Sequence, residues 1–485
     1  MDLYFSNYFC VSEEALQNYG AFNISLVTDL PLFIDPFLLF NSSNEEYQML
    51  HDSIIRYLRF LRSKSIAGNV PPALLKSWYN FSEVKQNWFG FCISGNTGRG
   101  LGKKFAQALD LNLQHIFSNF GQEKITKGSH LEKLCLIRSG VGRDMISDFT
   151  TNLIKGYLLN YTETFAVNHI HPSLRAKKSI NKAAFSYKFE RWMPKTYDLP
   201  VCKGDYVILT PKDILTKDET WINHQDLYIE FEDIPDAVEN DVLRAEINNY
   251  FYSMIPEEPT KDDYGRAIDS TIRKFPELID YFIKYKEDHG DEAVKASELK
   301  VVTSYQLYIK QFGELIHLLN KQTDFYNLIG DTEDETRKRI EFFKDVIENK
   351  GGHSIFYHKG EPISRESDAH ILFRLTWYTT PSDVSREVND GRGPADFKIS
   401  RGSKDKTLVE FKLAKNTKLK RNLEKQLEIY KNASDAKVGF KVIIFFTEQE
   451  YIRVEGILDE LKMVNDPYIY LVDARLDNKP SGSKA

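Results

Sequence analysis

Gly391-Arg-Gly-Pro-Ala-Asp396 and Val409-Glu-Phe-Lys412 are the two stretches that decide the fold of the C-terminal part of this 485-residue chain. The first is turn chemistry that ends in an Asp, because glycine and proline favour turns and bends. The second places a Glu and a Lys two residues apart, and alternate residues of a strand point to the same face. An Asp on one strand with a Glu and a Lys on the next predicts a metal-dependent phosphodiesterase site.

The elements around these stretches alternate between helix and strand. Helical spacing predicts helices at 364–378, 417–433 and 450–463. Alternating or continuous apolar residues predict strands at 383–388, 395–400, 407–414, 438–447 and 468–473. The predicted order after residue 352 is therefore α-β-β-β-α-β-α-β, an α/β domain with a mixed central sheet.

The strand that contains Glu410 is expected to form a hairpin with the strand that begins near Asp396. If the hairpin folds symmetrically about residues 403 and 404, Asp396 lies opposite Phe411, one position out of phase with Glu410. The glycines and Pro394 would then have to supply a bulge that brings both carboxylates to one face. With that bulge, Asp396 and Glu410 are predicted to share one divalent cation.

Carboxylate oxygens and water suit a hard cation, so the predicted cofactor is Mg²⁺, with Mn²⁺ as a substitute. Such an ion polarises a phosphodiester and lowers the pKa of a bound water. Lys412 is predicted to orient that water or to offset the charge that builds on phosphorus.

Pro394-Ala-Asp396 with Glu410-Phe-Lys412 resembles the motif of the PD-(D/E)XK nuclease superfamily, to which many restriction endonucleases belong. Pro-Ala-Asp stands here in place of Pro-Asp. The resemblance implies a restriction-endonuclease-like fold in which the Asp and the Glu bind Mg²⁺ and the Lys assists catalysis. It also implies a further metal ligand from an acid on the first core helix, which by position is Glu366.

Gln426 and Tyr430 match the Gln-x-x-x-Tyr pattern of the RecB-type branch of that superfamily, where these side chains help to organise the active site and the nucleic acid. Gln426 falls within the apolar stripe of the predicted helix, which includes Leu419 and Leu423. The C-terminal run also resembles domains of uncharacterised bacterial proteins associated with restriction and phage defence.

Three other side chains compete for roles near this site. Asp368 and Glu387 are alternative acids to Glu366, which itself lies where the helix dipole favours an acid in any case. His370 follows Glu366 by one helical turn and either faces the site or packs as an ordinary histidine.

Basic residues concentrate around the motif, although the whole chain carries a net charge of −6. Residues 396–441 contain 13 Lys and Arg against 6 Asp and Glu, so phosphate attraction is expected there. The predicted nucleic-acid contacts are Arg392, Lys418, Lys420, Arg421 and Lys425. A solvated basic face remains the alternative.

The chain is too long for one core, so several domains are expected. The prediction is an α+β domain at 1–256, a helical connector at 257–352 and the nuclease-like domain at 353–485. The loop Gly95-Asn-Thr-Gly-Arg-Gly-Leu-Gly-Lys103-Lys fails the phosphate-loop pattern and is interpreted as a flexible basic loop.

No secretory or membrane-spanning segment is indicated, and four widely spaced cysteines favour reduced thiols in a cytoplasmic protein. The expected function is Mg²⁺-dependent cleavage of nucleic acid, with double-stranded DNA as the substrate and antiphage defence as the setting. Cutting both strands with one site per chain favours a homodimer. The alternative is an inactive nucleic-acid-binding or regulatory module on a nuclease scaffold, and a protein or nucleotide trigger acting on residues 1–256 is left open.

Overall fold

The structure is a computed structural model of the 485-residue chain, and part of the chain lies outside what it describes. The described residues are 3–68, 70–90, 101–102, 106–107, 109–110, 113, 120, 123–137, 143–217, 219–322, 330–358, 360–363, 365–377, 380, 382–388, 395–402, 405–424, 436 and 438–479. The basic loop at 95–104 therefore falls almost wholly outside the description.

The described elements form a mixed α/β structure. The helices are α1 Phe5–Tyr8, α2 Glu13–Tyr19, α3 Pro36–Phe40, α4 Glu45–Ile66, α5 Pro72–Trp78, α6 Lys133–Ile137, α7 Arg143–Leu153, α8 Lys155–His169, α9 His224–Ile229, α10 Asp241–Ser253, α11 Lys261–Lys274, α12 Leu278–Asp288, α13 Gly290–Ser304, α14 Phe312–Gln322, α15 Thr332–Asn349, α16 Glu366–Thr376 and α17 Glu448–Glu460. The strands are β1 Leu32–Ile34, β2 Arg175–Ser186, β3 Arg191–Cys202, β4 Asp205–Tyr206, β5 Leu215–Lys217, β6 Tyr357–His358, β7 Glu361–Pro362, β8 Asp383–Val388, β9 Ala395–Ser400, β10 Lys406–Leu413, β11 Val438–Phe445 and β12 Ile469–Asp473.

The N-terminal part combines helices with two small sheets. Strands β2, β3 and β4 form an antiparallel meander, and β1 pairs with β5. Helix α8 packs on the meander at Gly156, where an added Cβ would lie 2.6 Å from the carbonyl oxygen of Ala183. Only glycine permits so close a contact between helix and strand. Cys10 and Cys202 are free thiols, while Cys92 and the side chain of Cys135 lie outside the description.

Helices occupy the middle of the chain. Helix α11 begins at a reciprocal capping box in which Thr260 and Asp263 bond each other's backbone N–H groups. A π-helical segment, Tyr305–Gln311, joins α13 to α14. The Tyr308 hydroxyl donates a 2.6 Å hydrogen bond to Asp368 of α16, and its carbonyl accepts one from Tyr4.

The C-terminal part contains a five-stranded mixed sheet in the order β12-β11-β10-β9-β8. Strands β10, β11 and β12 are parallel, whereas β9 is antiparallel to both β10 and β8. From α16 onward the predicted order of elements is found along the described residues, with 419–424 helical between β10 and β11. The short β6–β7 pair that precedes α16 was not predicted. Helix α17 begins two residues earlier than predicted because Thr447 caps it.

Apolar alternation explains how this sheet is covered. Every residue of β11 is buried, as expected for a strand with helices on both faces. Phe440, Val442 and Ile444 join the main core, whereas Ile443 and Phe445 join a second cluster with Leu419, Leu423 and Val454. The main core contains residues from Leu3 to Ala474 and so runs across the predicted boundaries at 256 and 352, which stay predictions.

Among the described residues, no helix combines the length and apolar character needed to cross a bilayer.

Candidate active site

Strand β10 supplies two of the predicted site residues to one face. Val409, Phe411 and Leu413 belong to the main core, so Glu410 and Lys412 project from the other face, as alternation predicts. Parallel pairing with β11 places Glu410 beside Lys441. The Lys441 ammonium donates a 2.7 Å hydrogen bond to the carbonyl oxygen of Leu423.

The register between β9 and β10 differs from the predicted one. Lys406 pairs with Ser400 and Val409 with Phe397, so continuing this register by one residue sets Asp396 opposite Glu410 rather than opposite Phe411. Opposite residues of an antiparallel pair point to the same face. The two carboxylates therefore share a face without the bulge that the sequence was expected to require.

Three carboxylates from three elements converge on the Lys412 ammonium. Its Nζ lies 3.2 Å from Glu366 Oε2, 3.3 Å from Glu410 Oε1 and 3.8 Å from Asp396 Oδ2. We refer to Glu366, Asp396, Glu410 and Lys412 as the carboxylate cluster. The side chains of Asp396, Glu410 and Lys412 are about nine-tenths buried or more, and that of Glu366 is 26% exposed.

Helix α16 contributes Glu366 from its first turn, and Arg365 at its N-cap makes no side-chain cap hydrogen bond. Glu366 Oε1 accepts a 2.7 Å hydrogen bond from Asn416 Nδ2, just after β10. Asp368 instead accepts the Tyr308 hydroxyl and lies 3.7 Å from Lys217 Nζ. Of these two acids, Glu366 alone joins the cluster, and the side chain of Glu387 lies outside the description.

His370 is a neighbour of the cluster that sequence reasoning left out of the site. Its Nε2 lies 3.1 Å from Asp396 Oδ2. The same oxygen accepts a 2.7 Å hydrogen bond from the backbone N–H of Phe411. The polar contacts of Asp396 with described residues thus all involve Oδ2. The four-residue spacing from Glu366 was the signal that pointed to His370.

The two strand acids are both buried, and their different neighbours separate their ionisation. Burial contributes most to raising the pKa of Glu410 to about 7, and the Asp396 carboxylate adds to this, while Lys412 and Lys441 oppose it. Burial alone would also raise the pKa of Asp396, but His370, Lys412 and the Phe411 N–H together hold it below its usual range. Burial disfavours the charged form of Lys412, yet the three carboxylates raise its pKa. The cluster places three carboxyl groups around one ammonium group.

The predicted nucleic-acid contacts are only partly described. Lys418, Lys420 and Arg421 are exposed at the helical segment 419–424, while Leu419 and Leu423 on the same segment are buried. Lys420 forms an ion pair with Glu460 of α17. Arg392, Lys425, Gln426 and Tyr430 lie outside the described residues.

The donor set at the cluster fits a hard divalent cation. Within the described parts of the chain, no group of three or more His, Cys, Asp and Glu side chains is arranged to hold a metal ion. Mg²⁺ needs fewer protein ligands than that, because it is commonly held by one or two carboxylates, with water and substrate phosphate completing the shell. The carboxylates of Asp396 and Glu410 are the groups that could hold it.

Two family models match separate parts of the chain. Residues 11–223 are similar to Domain of unknown function (DUF8370), and residues 332–448 to Domain of unknown function (DUF8371). Searches of curated proteins and of solved structures found no match. The second range contains the whole carboxylate cluster, while residues 224–331 lie between the two.

Proposed function

We propose that this protein is a Mg²⁺-dependent nuclease whose C-terminal region cleaves phosphodiester bonds on a restriction-endonuclease-like PD-(D/E)XK scaffold. The supporting observation is the convergence of Glu366, Asp396 and Glu410 on the Lys412 ammonium, at distances of 3.8 Å or less. These are the four residues that the motif resemblance singles out. The strand order, with an antiparallel β9–β10 pair beside parallel β11 and β12, supports the same proposal.

Each member of the cluster has a separate task in this proposal. A bound Mg²⁺ supplies Lewis-acid polarisation of the phosphodiester and a water of lowered pKa. Asp396 and Glu410 hold the ion, and Glu366 supports it from α16. The Lys412 ammonium, which can only donate hydrogen bonds, orients the attacking water or stabilises negative charge on the phosphoryl oxygens.

Neighbouring groups keep these side chains in place. The Phe411 N–H holds Asp396 Oδ2, with His370 Nε2 3.1 Å from the same oxygen, and Asn416 holds Glu366 Oε1. Such hydrogen bonds hold ligand orientation in metal sites. Gln426 and Tyr430 are assigned to the shaping of the site and of the nucleic acid.

The proposed substrate is double-stranded DNA, and the proposed setting is antiphage defence in the cytoplasm. The charge excess of residues 396–441 supports a polyanionic substrate. Lys418, Arg421 and Lys425 are proposed to contact phosphate with Arg392, while Lys420 must exchange Glu460 for phosphate. Two copies of the chain would cut the two strands.

Plasmid nicking tests the proposal. Supercoiled plasmid is incubated with the full chain in Mg²⁺, in Mn²⁺ and in EDTA. We expect cutting that needs the metal and that falls roughly 10²–10³-fold in Lys412→Ala and in Asp396→Asn, because each removes a group that acts on the reacting centre. The matched control is Lys415→Ala, an exposed lysine near the end of the same strand, which should retain activity. Equal cutting by all four proteins would refute the assignment.

The second candidate function is an inactive nucleic-acid-binding module. The observation that favours it is that the cluster is already an ion-pair network, with no set of three or more metal-binding side chains in the described residues. Gel-shift binding of DNA by the full chain, with no nicking in either metal, would establish this second function in place of the first.

A further inference from the structure

A large cleft lies between α9, α10 and α11, far along the chain from the carboxylate cluster. It encloses about 1010 Å³, and the residues that line it include Ile229, Phe231, Glu232, Asp233, Phe251 and Asp262. Its floor is aromatic, because the buried rings of Phe231 and Phe251 lie 5.1 Å apart between centroids. Two packed aromatic rings therefore form the base of the cleft.

The elements that form this cleft expose large apolar side chains. Ile229 and Tyr264, which line it, are 70% and 37% exposed. Val242 and Tyr252 on α10, and Met254 just after it, are also exposed. Aromatic residues and methionine are enriched at protein interfaces, and exposed apolar groups gathered in one region mark interaction sites.

The same region is strongly acidic. Residues 224–270 contain 13 Asp and Glu against 3 Lys and Arg. Two of the basic residues already form ion pairs on the helix surface, Arg244 with Asp241 and Arg266 with Asp263. Glu232, Asp233 and Asp262 line the cleft, are exposed, and have no basic partner among the described side chains. The described part of the rim thus holds more acid than base, and Arg266 in its lining is already paired with Asp263.

A second, smaller cleft shares Asp233 with the first. It encloses about 270 Å³ and is lined by Glu230, Asp233, Ile234 and the rings of Tyr281 and Tyr285. Two clefts that share an acidic residue in their linings can accept two side chains of one extended segment. Phosphate groups are repelled by such a rim, so nucleic acid does not fit it.

We propose that this cleft docks a basic segment of a partner protein, one that carries Lys or Arg together with an aliphatic or aromatic anchor. The anchor fills the space above Phe231 and Phe251, and the basic side chains pair with Glu232, Asp233 and Asp262. Charge complementarity of this kind guides encounter and sets register, while the buried anchor supplies most of the affinity. The cleft lies in the part of the chain, 224–331, that neither family model covers.

Selection from a random peptide library displayed on phage, with the full chain immobilised, tests the proposal. The selected peptides are then synthesised with a fluorescent label and titrated by anisotropy. We expect them to combine net positive charge with at least one Leu, Phe or Trp. Binding should weaken roughly tenfold or more in Glu232→Lys/Asp233→Lys and in Ile229→Ser, since these remove the charge complement and the apolar contact respectively.

Matched variants separate docking from general attraction. Asp52→Lys/Glu298→Lys reverses two exposed helical acids elsewhere, and Ile452→Ser removes an isoleucine that is 60% exposed on α17. Both should bind the peptides as the unmodified chain does, and melting curves confirm that every variant folds. The proposal would be overturned if the selected peptides lacked basic residues. It would also be overturned if the cleft variants and the control variants lost peptide affinity equally. A third outcome would also overturn it: the chain binds no peptide but self-associates, and the cleft variants abolish that self-association. The occupant would then be a second copy of the chain.

Discussion

Two buried charge clusters lie at opposite ends of strand β9 and differ in how fully their acids are paired. At the end near Ser400, Glu335 of α15 is completely buried and accepts hydrogen bonds on both oxygens. Its donors are Arg339, Thr380, Ser382 and Arg401. At the other end, the carboxylate cluster gathers three acids around the single ammonium of Lys412.

Both acids are buried, so the difference in their ionisation follows from their partners. Burial disfavours the charge of both acids, yet the two hydroxyls and two guanidinium groups hold the pKa of Glu335 below its usual range. Glu410, with Asp396 beside it, has a pKa of about 7. Hydroxyls and guanidinium groups thus surround Glu335, whereas a second carboxylate lies beside Glu410.

Breaking the cluster around Glu335 should have the largest effect on the free energy of unfolding. Arg339→Ala leaves the Glu335 charge buried with fewer partners and removes the guanidinium that lies over the Trp377 ring. We expect the free energy of unfolding to fall by about 3–5 kcal/mol, as for other buried pairs that lose one member. Urea denaturation measures this. Lys338→Ala, an exposed neighbour on the same helix, should change it by less than about 0.5 kcal/mol.

A smaller effect of opposite sign is expected at the carboxylate cluster. The pKa of Glu410 lies above its ordinary value of 4.5, so the folded state binds more protons than the unfolded state between about pH 4.5 and 7. Its contribution to stability is therefore lost as pH rises through that window. Without divalent cations at pH 8, Glu410→Gln should stabilise the chain by on the order of 1–3 kcal/mol.

Thermal melts from pH 5 to pH 8 in EDTA check this sign. Glu335→Gln is the matched variant and should destabilise the chain across that range, because it removes a carboxylate that is already well paired. If the stability of the Glu410→Gln protein declined with pH as steeply as that of the unmodified chain, the pKa of Glu410 would not be raised by folding.

The smallest of the three effects is expected at the edge of the cluster. Asn416→Ala removes the 2.7 Å hydrogen bond that orients Glu366, but this acid is partly exposed and water can replace the lost donor. We expect the Mn²⁺ concentration that gives half-maximal plasmid nicking to rise about tenfold, while the maximal cutting rate is nearly retained. A titration of cutting rate against Mn²⁺ measures the midpoint. An unchanged midpoint would show that Asn416 does not position Glu366.

Strand alternation was enough to predict the faces of β10, because a period of two depends only on local geometry. The register of β9 was not predictable in the same way. The five residues between Ser400 and Lys406 include Gly402 at a φ of +79°, and the N–H of Arg401 bonds the carbonyl of Asp405. A turn with an odd number of residues moves the pairing by one position, which changes the face of every side chain.

The neighbours of the cluster show a second limit of the sequence. Helical spacing placed His370 beside Glu366 on one face, but only the pairing of strands shows that this face meets Asp396. Asn416 lies in the connection after β10, and Lys441 lies on the parallel strand β11. Their contacts with the cluster therefore do not follow from the local sequence of the motif. Gln426 and Tyr430 stay predictions.

The Tyr308 contact has a practical consequence for dividing the chain. A fragment that begins at residue 353 would retain Glu366, Asp396, Glu410 and Lys412, yet it would lose the hydroxyl that Asp368 accepts. That buried acid lies one helical half-turn from Glu366, so excision would loosen the helix that presents it. Nicking assays on the isolated C-terminal fragment would therefore underestimate the activity of the full chain.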